Sequence, residues 1–475
     1  MVDLSPKERG LVTTPESTCS FMVKLLGNIK QDAKILDPCV GLGAFPKALI
    51  NAGISPKQIT AFDIEDSYRD IIEDMEVYFV SKDTLLSIHP FEHGRYDIVI
   101  GNPPYLSKAS TYIQKNKETL KKIYGHIHTH EAYAMFIVNA LRRLKNKGKL
   151  VFIVSDSFMT LNTHYSLRSM ILRTCKIDEI ILAPKSLFDH QNVSTSPAIL
   201  VLTKCVGRKN QNVRESHQMR IVDRLQSEAD YEKPKTVYTI PQKCYNYLPY
   251  SVFFVGLEKG IIDFFRYSMR LEICLKGYIG MHTKKNEECI RSVDGELVTL
   301  SNEWKPYLKK GGSEQYYRPV FEYVSWKPED VATYSIPKDA PFGHEGIVIS
   351  GISSRLAARY MPEGCYWDSN KAIGFILVNK HISIEYMLGL LNSSLYNYLA
   401  KKVLNRTNSL QLSDIHALPY IAPDEDIKSR VEKLVATILK EKKKNLNYDY
   451  TREQKQIDDI IFTMHQQRFN LKRKY

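Results

Sequence analysis

No run of 18 apolar residues occurs in this 475-residue chain, and no basic segment followed by an apolar one opens it. Neither membrane spanning nor secretion is therefore expected, and the cytoplasm is the expected compartment. The eight cysteines (Cys19, Cys39, Cys175, Cys205, Cys244, Cys274, Cys289, Cys365) form no CxxC pair and no regular framework. They read as reduced thiols rather than a disulfide scaffold. Two phosphate-binding signatures are missing as well, GxGxxG and GxxxxGKS/T, so a nucleotide-type ligand of this chain is expected to lack a phosphate chain. There is no internal repeat. The C-terminal region also lacks a compact cluster of carboxylates and lysine after a β-hairpin, so no nuclease activity is expected and the chain reads as a stand-alone enzyme.

What is present is a 43% hydrophobic composition and a formal charge of +13. The first implies large cores in two or three domains. The second favours an anionic partner, and both halves of the chain are basic, which suits a ligand lying between them better than a basic tail. From about Ile35 to Lys204 short apolar runs alternate with helix-like segments: "KILDPC", "ITAFDI", "VYFVSKD", "YDIVIGN", "KLVFIVSD", "IDEIILA" and "AILVLTK". This pattern predicts an α/β, doubly wound Rossmann-like domain with ligands beyond the carboxyl ends of its strands, where Asp37, Asp63, Asp83, Asn102 and Asp156 fall. The polar stretch Val206 to Gln218 is expected to be a loop or hairpin tip. Beyond a boundary near residue 240 the texture changes to short β-like pieces and carries 19 of the 29 tyrosines. Helical periodicity returns at Ile384 to Val403 and from Asp424 to Phe469. The expected organisation is 1–240, a mixed α+β domain over 241–425, and a helical segment over 426–475. The lysine run at Lys440 to Asn445 reads as a solvated helix end.

The turn "ILDPCVGLGAF" follows the first strand, and glycines 41 and 43 let its backbone approach a ligand closely. Asp63 ends the second strand, where such folds place an acid against both ribose hydroxyls. Asp83 ends the third. A nucleoside carrying an amino acid fits this set, which points to S-adenosylmethionine. The fourth strand runs into "NPPY", Asn102 to Tyr105. Two prolines remove two N–H donors and fix two φ angles, giving a rigid turn. Its acceptors, the Asn102 side-chain oxygen and the Pro103 carbonyl, suit a group with two N–H donors. An exocyclic amine is such a group, and acceptors that engage both hydrogens stabilise the positive charge that develops when its nitrogen attacks. Tyr105 would stack on the face of a base removed from its duplex.

With those residues in place the sequence resembles the TaqI-like N6-adenine DNA methyltransferases of the gamma arrangement, in which the cofactor motif precedes NPPY and the target-recognition domain follows. "ERGLVTTPESTCSFMVKLL" resembles the family's N-terminal motif and puts Thr14 at the methionine end of S-adenosylmethionine. "LDPCVGLGAF" is similar to its first motif, which implies cofactor contacts for Asp37, Cys39, Gly41 and Gly43. By the same resemblance Asp63 takes the ribose, Ile64 the adenine face and Asp83 the adenine amino group. Asn102, Pro103, Pro104 and Tyr105 become the catalytic motif. "SLFDHQNVSTSPAILVLTK" resembles the later motif whose aromatic residue packs on the flipped base, so Phe188 is expected as a second wall opposite Tyr105. "GYIGMHTKKNEE", "KPYLKKG", "EYMLGLLNSSLYNYL" and "LQLSDIHALPY" resemble landmarks of the recognition domain, while "RPVFEYVSW" departs from it and assigns no base-reading side chain. The resemblance implies double-stranded DNA as partner, with a cognate restriction endonuclease, a monomer on DNA and a nucleoid-associated cytoplasmic location. Lys108, Lys284, Lys285, Lys309, Lys310, Arg355 and Arg359 are the candidate DNA contacts.

Other readings of these residues stay open. NPPY also suits a glutamine amide, although protein-glutamine methyltransferases are small and lack a long basic, tyrosine-rich extension. N4-cytosine enzymes more often carry serine before the prolines. A DNA-binding specificity subunit with an inactive methylase fold is a further alternative, against which the intact Asp37, Asp63, Asp83 and Asn102 argue. The pair Pro38 and Cys39 matches the nucleophile motif of cytosine C5 enzymes only by coincidence, since it sits at the cofactor strand. His126, His128 and His130 alternate, but without carboxylate or cysteine partners they read as phosphate contacts or local hydrogen-bonding groups, not a metal site. The stretch "SKASTYIQKNKETLKK" holds five lysines against one glutamate and is expected to be a loop and helix facing phosphate.

Overall fold

The computed structural model describes residues 12–87, 90–191, 195–284, 286–293, 303–309, 312–369, 371–405 and 407–473. Lys285 and Lys310, two of the candidate DNA contacts, lie outside them. The chain forms two compact units, Met1–Leu257 and Glu258–Tyr475.

The N-terminal unit is built on one nine-stranded sheet. Its strands are β1 (Ile35–Asp37), β2 (Ile59–Asp63), β3 (Tyr78–Ser81), β4 (Tyr96–Gly101), β5 (Leu144–Ser155), β6 (Cys175–Leu182), β7 (Pro197–Lys204), β8 (Gln218–Val222) and β9 (Val237–Pro241). They lie in the order β3-β2-β1-β4-β5-β7-β6-β8-β9. Strands β3 to β5 pair in parallel, and β7 runs antiparallel between β5 and β6. The seven expected strands are all present, because a sheet covered on both faces demands continuous apolar runs that stand out in a sequence. Ile98 and Ile100 of β4 and Val151 and Ile153 of β5 share one core with Met22, Val23, Phe45 and Leu49. The latter come from helices Glu16–Lys24 and Ala44–Asn51. The intervening Val99, Leu150, Phe152 and Val154 are equally buried, as two-residue alternation places them on the opposite face.

Two strands were not expected. The segment read as a hairpin tip instead holds a turn and a short helix, Gln211–Ser216. The next strand, β8, pairs in parallel with β6 rather than turning back on β7. The unit also runs past residue 240, and polar side chains explain why. Gln242 is buried; its Oε1 accepts from Ile177 N at 2.9 Å and its Nε2 donates to Cys175 O at 2.9 Å. Arg168, also buried, donates through Nη1 to the carbonyls of Phe158 and Leu161 and through Nε and Nη2 to that of Tyr250. These bonds fasten residues 242–250 to the sheet and its flanking helix.

The C-terminal unit contains two four-stranded sheets. One has the order Leu275–Tyr278, Ala372–Leu377, Gly346–Ser350, Ala358–Met361, all antiparallel. The other has the order Ile290–Ser292, Glu322–Ser325, Trp304–Leu308, Tyr366–Trp367. The C-terminal helices Glu425–Lys444 and Thr451–Phe469 belong to this unit and do not stand apart as a segment. Helix Ile384–Asn392 packs so closely on them that a Cβ at Gly389 would come within 2.4 Å of Val431 Cγ1. The lysine run ends the first of these helices, yet Lys442 is buried, with its ammonium over the Tyr450 ring. Among the described residues no helix is long and apolar enough to cross a membrane.

Replacing Gln242 by Ala leaves a buried N–H and a buried carbonyl of β6 without partners. The expected cost is about 2–3 kcal/mol of unfolding free energy, read from urea denaturation of the full chain.

Candidate active site

Strand β1 has β2 on one side and β4 on the other, so the connections leaving its carboxyl end and that of β4 diverge and open a crevice. A cavity lies there that with its open mouth encloses about 1150 Å³. Val12, Thr14, Cys39, Gly41, Asp63, Ile64, Asp83, Asn102 and Tyr112 are among its lining residues. Thus Thr14, Cys39, Gly41, Asp63, Ile64, Asp83 and Asn102, expected on separate sequence grounds, converge on one hollow. Asp37, Gly43, Pro103, Tyr105 and Phe188 do not line it.

Two glycines shape the crevice. Gly43 has φ +82°, and a Cβ there would meet Met75 Cε at 2.5 Å. Gly101, the residue before Asn102, lets β4 approach β1 so closely that a Cβ would sit 3.1 Å from Asp37 Oδ1. The turn after β1 is then tied to its neighbours. Asp63 Oδ2 accepts from Gly41 N at 2.9 Å and its Oδ1 from Glu65 N at 3.0 Å. The Cys39 thiol donates to the Asn102 carbonyl at 3.4 Å. Burial, with Asp37 and Asp63 nearby, pushes the thiol well above its ordinary pKa, so it is a poor nucleophile.

Asp37 lies beneath this turn, fully buried. Its Oδ1 accepts from Cys39 N at 3.1 Å, while Oδ2 has no partner among the described residues. Burial, assisted by the Asp63 charge, raises its pKa to about 8, so the carboxyl keeps its proton at neutral pH. Asp63 is shifted upward for the same reason, against the lowering effect of its backbone donors. Ile64 and Leu42, each 53% exposed, present apolar surface at the cavity edge.

The Asn102 amide is oriented from the far N-terminus. Its Nδ2 donates to Val12 O at 2.9 Å, and its Oδ1 is buried with no partner among the described residues. The strap that carries Val12 is held in turn by Gln191, whose Oε1 accepts from Thr13 N at 2.7 Å and whose Nε2 donates to Thr13 O at 2.8 Å. Gln191 closes the short helical segment that bears Phe188. The Phe188 and Tyr105 rings meet edge to face, with centroids 5.9 Å apart. That is direct aromatic contact, so the expected two walls touch each other and leave no gap of base width.

Asp83 accepts from Leu85 N and Leu86 N, each at 3.0 Å, and from the Tyr112 hydroxyl. Val12, Gln191 and Tyr112 were not foreseen. Tyr112 had a weak signal, as an aromatic residue inside a lysine-rich stretch. The histidines do form local contacts: His128 packs on His130 and on the buried His164, which pairs with Glu131. Among the described residues no group of three His, Cys, Asp or Glu is arranged to hold a metal ion.

Of the candidate DNA contacts, Lys108 and Lys284 are exposed, and Lys309 and Arg355 half-buried. Arg359 is a correction: only 2% exposed, it is a core residue of the C-terminal unit and offers no surface to a phosphate. Its place on a strand that alternates toward the sheet interior explains the burial.

An open sheet of this order with a crevice at the switch point defines a methyltransferase-like α/β fold. The Eco57I restriction-modification methylase family matches residues 41–188, and the TaqI-like C-terminal specificity domain matches residues 307–419. Carrying both in this order, the chain is similar to the TaqI-like methyltransferases. It is 29% identical over 208 residues to type II methyltransferase M.HincII of Haemophilus influenzae, a match covering 43% of this chain and 39% of that protein. With M.TthHB8I of Thermus thermophilus it is 28% identical over 177 residues, 36% of this chain and 40% of that one. The chain therefore spans about two-fifths of the length of these relatives. Its fold resembles that in the cryo-EM structure of the DrdV–DNA complex, with a TM-score of 0.56 at 14% identity over 92% of this chain and 57% of that one. A nuclease-deletion mutant of LlaGI, solved with a DNA substrate mimic, gives a TM-score of 0.55 at 14% identity over 90% and 54% of the two chains.

Because Asp37 keeps its proton in the folded state up to about pH 8 but loses it near its ordinary value of 3.8 when unfolded, folding binds a proton between those limits. Its contribution to stability therefore falls as pH rises across that window, on the order of 1 kcal/mol per pH unit. Asp37→Asn cannot ionise, so its stability relative to the parent should grow from pH 5 to pH 7.5 in urea titrations. A gap that stays constant would show that Asp37 is ionised in the fold.

Proposed function

We propose that the protein transfers a methyl group from S-adenosylmethionine to N6 of an adenine turned out of double-stranded DNA, as the modification enzyme of a restriction-modification system. The observation that carries this reading is the Asn102 amide: nitrogen anchored on Val12, oxygen buried and unpartnered among the described residues, on the wall of the cavity. A buried acceptor left unpaired is costly, and an N–H donor from a ligand relieves that cost. An exocyclic amine supplies one. As its nitrogen attacks, positive charge grows on it, and the fixed Asn102 oxygen stabilises that charge without having to reorient.

The cavity fits the cofactor chemically. Among the cavity's lining residues, Asp63 would accept from the ribose hydroxyls, Ile64 would offer an apolar face to adenine, Asp83 would accept from its amino group, and Thr14, Cys39 and Gly41 would border the rest of the cofactor. Bound there, S-adenosylmethionine supplies an electrophilic methyl group on a sulfonium. Asp37 is better read as a neutral support under the glycine turn than as a contact. For a base to lie between Tyr105 and Phe188, the two rings must separate from the edge contact they now make. The specificity-domain match over residues 307–419 supports recognition of a DNA sequence by the C-terminal unit, and the names of the relatives support the restriction-modification setting.

Purified protein given methyl-labelled S-adenosylmethionine should place label on adenine N6 of duplex DNA; label only on cytosine or protein would defeat the reading. Asn102→Ala should lower the single-turnover rate about a hundredfold or more while changing cofactor affinity much less. For Lys284, exposed on the C-terminal unit, neutralisation should weaken cognate and scrambled DNA alike and flatten the log–log salt dependence by about one unit of slope.

A further inference from the structure

We propose that Tyr112 sets the affinity of the cofactor pocket: its hydroxyl occupies the Asp83 acceptor in place of the ligand's exocyclic amine and must give way when that amine binds. This rests on the reading of the cavity as the S-adenosylmethionine site. The hydroxyl lies 3.0 Å from Asp83 Oδ1 and 2.9 Å from Oδ2, so it sits close to the bisector of the carboxylate. Oδ1 already accepts two backbone N–H groups, those of Leu85 and Leu86. The phenol takes the approach shared by both oxygens, and Tyr112 and Asp83 both line the cavity. Burial and the Asp83 charge raise the tyrosine above its ordinary pKa, so it stays a neutral donor.

The bond is not needed to build the turn that presents Asp83. That turn is secured by other groups: Thr84 Oγ1 donates to Pro38 O at 2.7 Å, Tyr124 OH to Leu85 O at 2.9 Å, and Asn139 Nδ2 to Thr84 O at 2.8 Å. Removing the Tyr112 hydroxyl therefore leaves the carboxylate in place with its outward lone pairs open. The ligand-free protein loses one hydrogen bond to a charged acceptor, and the liganded protein loses nothing. The difference appears as tighter binding, because the ligand no longer has to displace an internal donor.

The test is calorimetric titration of the full chain with S-adenosylhomocysteine, using the parent, Tyr112→Phe, Asp83→Asn and the double variant, with a melting curve of each ligand-free protein. Tyr112→Phe should bind about five- to tenfold more tightly than the parent while melting at a lower temperature, a combination that a purely structural role does not produce. In the Asp83→Asn background the gain should vanish. Equal or weaker binding by a folded Tyr112→Phe, or a gain that persists without the Asp83 carboxylate, overturns the proposal. If the parent binds no S-adenosylhomocysteine, the reading of the cavity itself fails, an outcome distinct from a parent that binds normally and a variant that shows no gain.

Discussion

The hydrogen bond from the Asn102 side-chain nitrogen to the Val12 carbonyl decides which end of that amide remains available. A primary amide has a donor end and an acceptor end, and tethering the first exposes the second to whatever enters the crevice. Chemistry that needs an acceptor at the end of β4 depends on this choice. The two prolines that follow keep the backbone from relaxing around it. Gly101 brings the whole turn against β1, and Cys39 fastens its carbonyl to the glycine turn. The site is thus a junction of two loops and a strap, held mostly by bonds to backbone atoms.

Electrostatics within the junction follow from burial. Acids stand at or just beyond the ends of the first three strands, Asp37, Asp63 and Asp83, but they are not equivalent. Burial raises both Asp37, fully enclosed beneath the turn, and Asp63, but Asp63 accepts from two backbone N–H groups that work against the rise. A neutral Asp37 spares the crevice two adjacent negative charges in a medium that screens them poorly. The basic surface of the chain and the acid-rich interior of its crevice therefore address different ligands.

Much of the N-terminal fold was legible because the central strands β1, β4 and β7 and the second half of β5 are buried on both faces and leave apolar runs. Strands β8 and β9, "QMRIV" and "VYTIP", are short and partly exposed, and nothing local separates them from loop. The end of the unit was misjudged because Gln242 and Arg168, polar residues that composition assigns to the surface, are buried and bridge distant carbonyls. The same mismatch made Arg359 look like a phosphate ligand. Some residues announced by a motif, Asp63, Asp83 and Asn102 among them, line the cavity and others, such as Gly43 and Phe188, do not, while residues placed by tertiary contact had no motif to announce them. Tyr112 meets Asp83 across 29 positions and Gln191 meets Thr13 across 178, separations over which sequence pattern carries no signal.

Those separations bear on the order in which the molecule assembles. Contacts between distant positions form late, since the entropy of closing the loop between them is lost before any bond compensates it. The strap at Val12 and Thr13 is synthesised first, yet the glutamine that clamps it lies beyond six of the nine sheet strands. On the ribosome the crevice consequently stays unroofed until β6 and the segment after it have emerged, and Asn102 has no fixed orientation before then. The central strand β7 follows that glutamine in the chain, so the clamp on the strap and the joining of β5 to β6 through β7 both wait on the same late stretch of sequence.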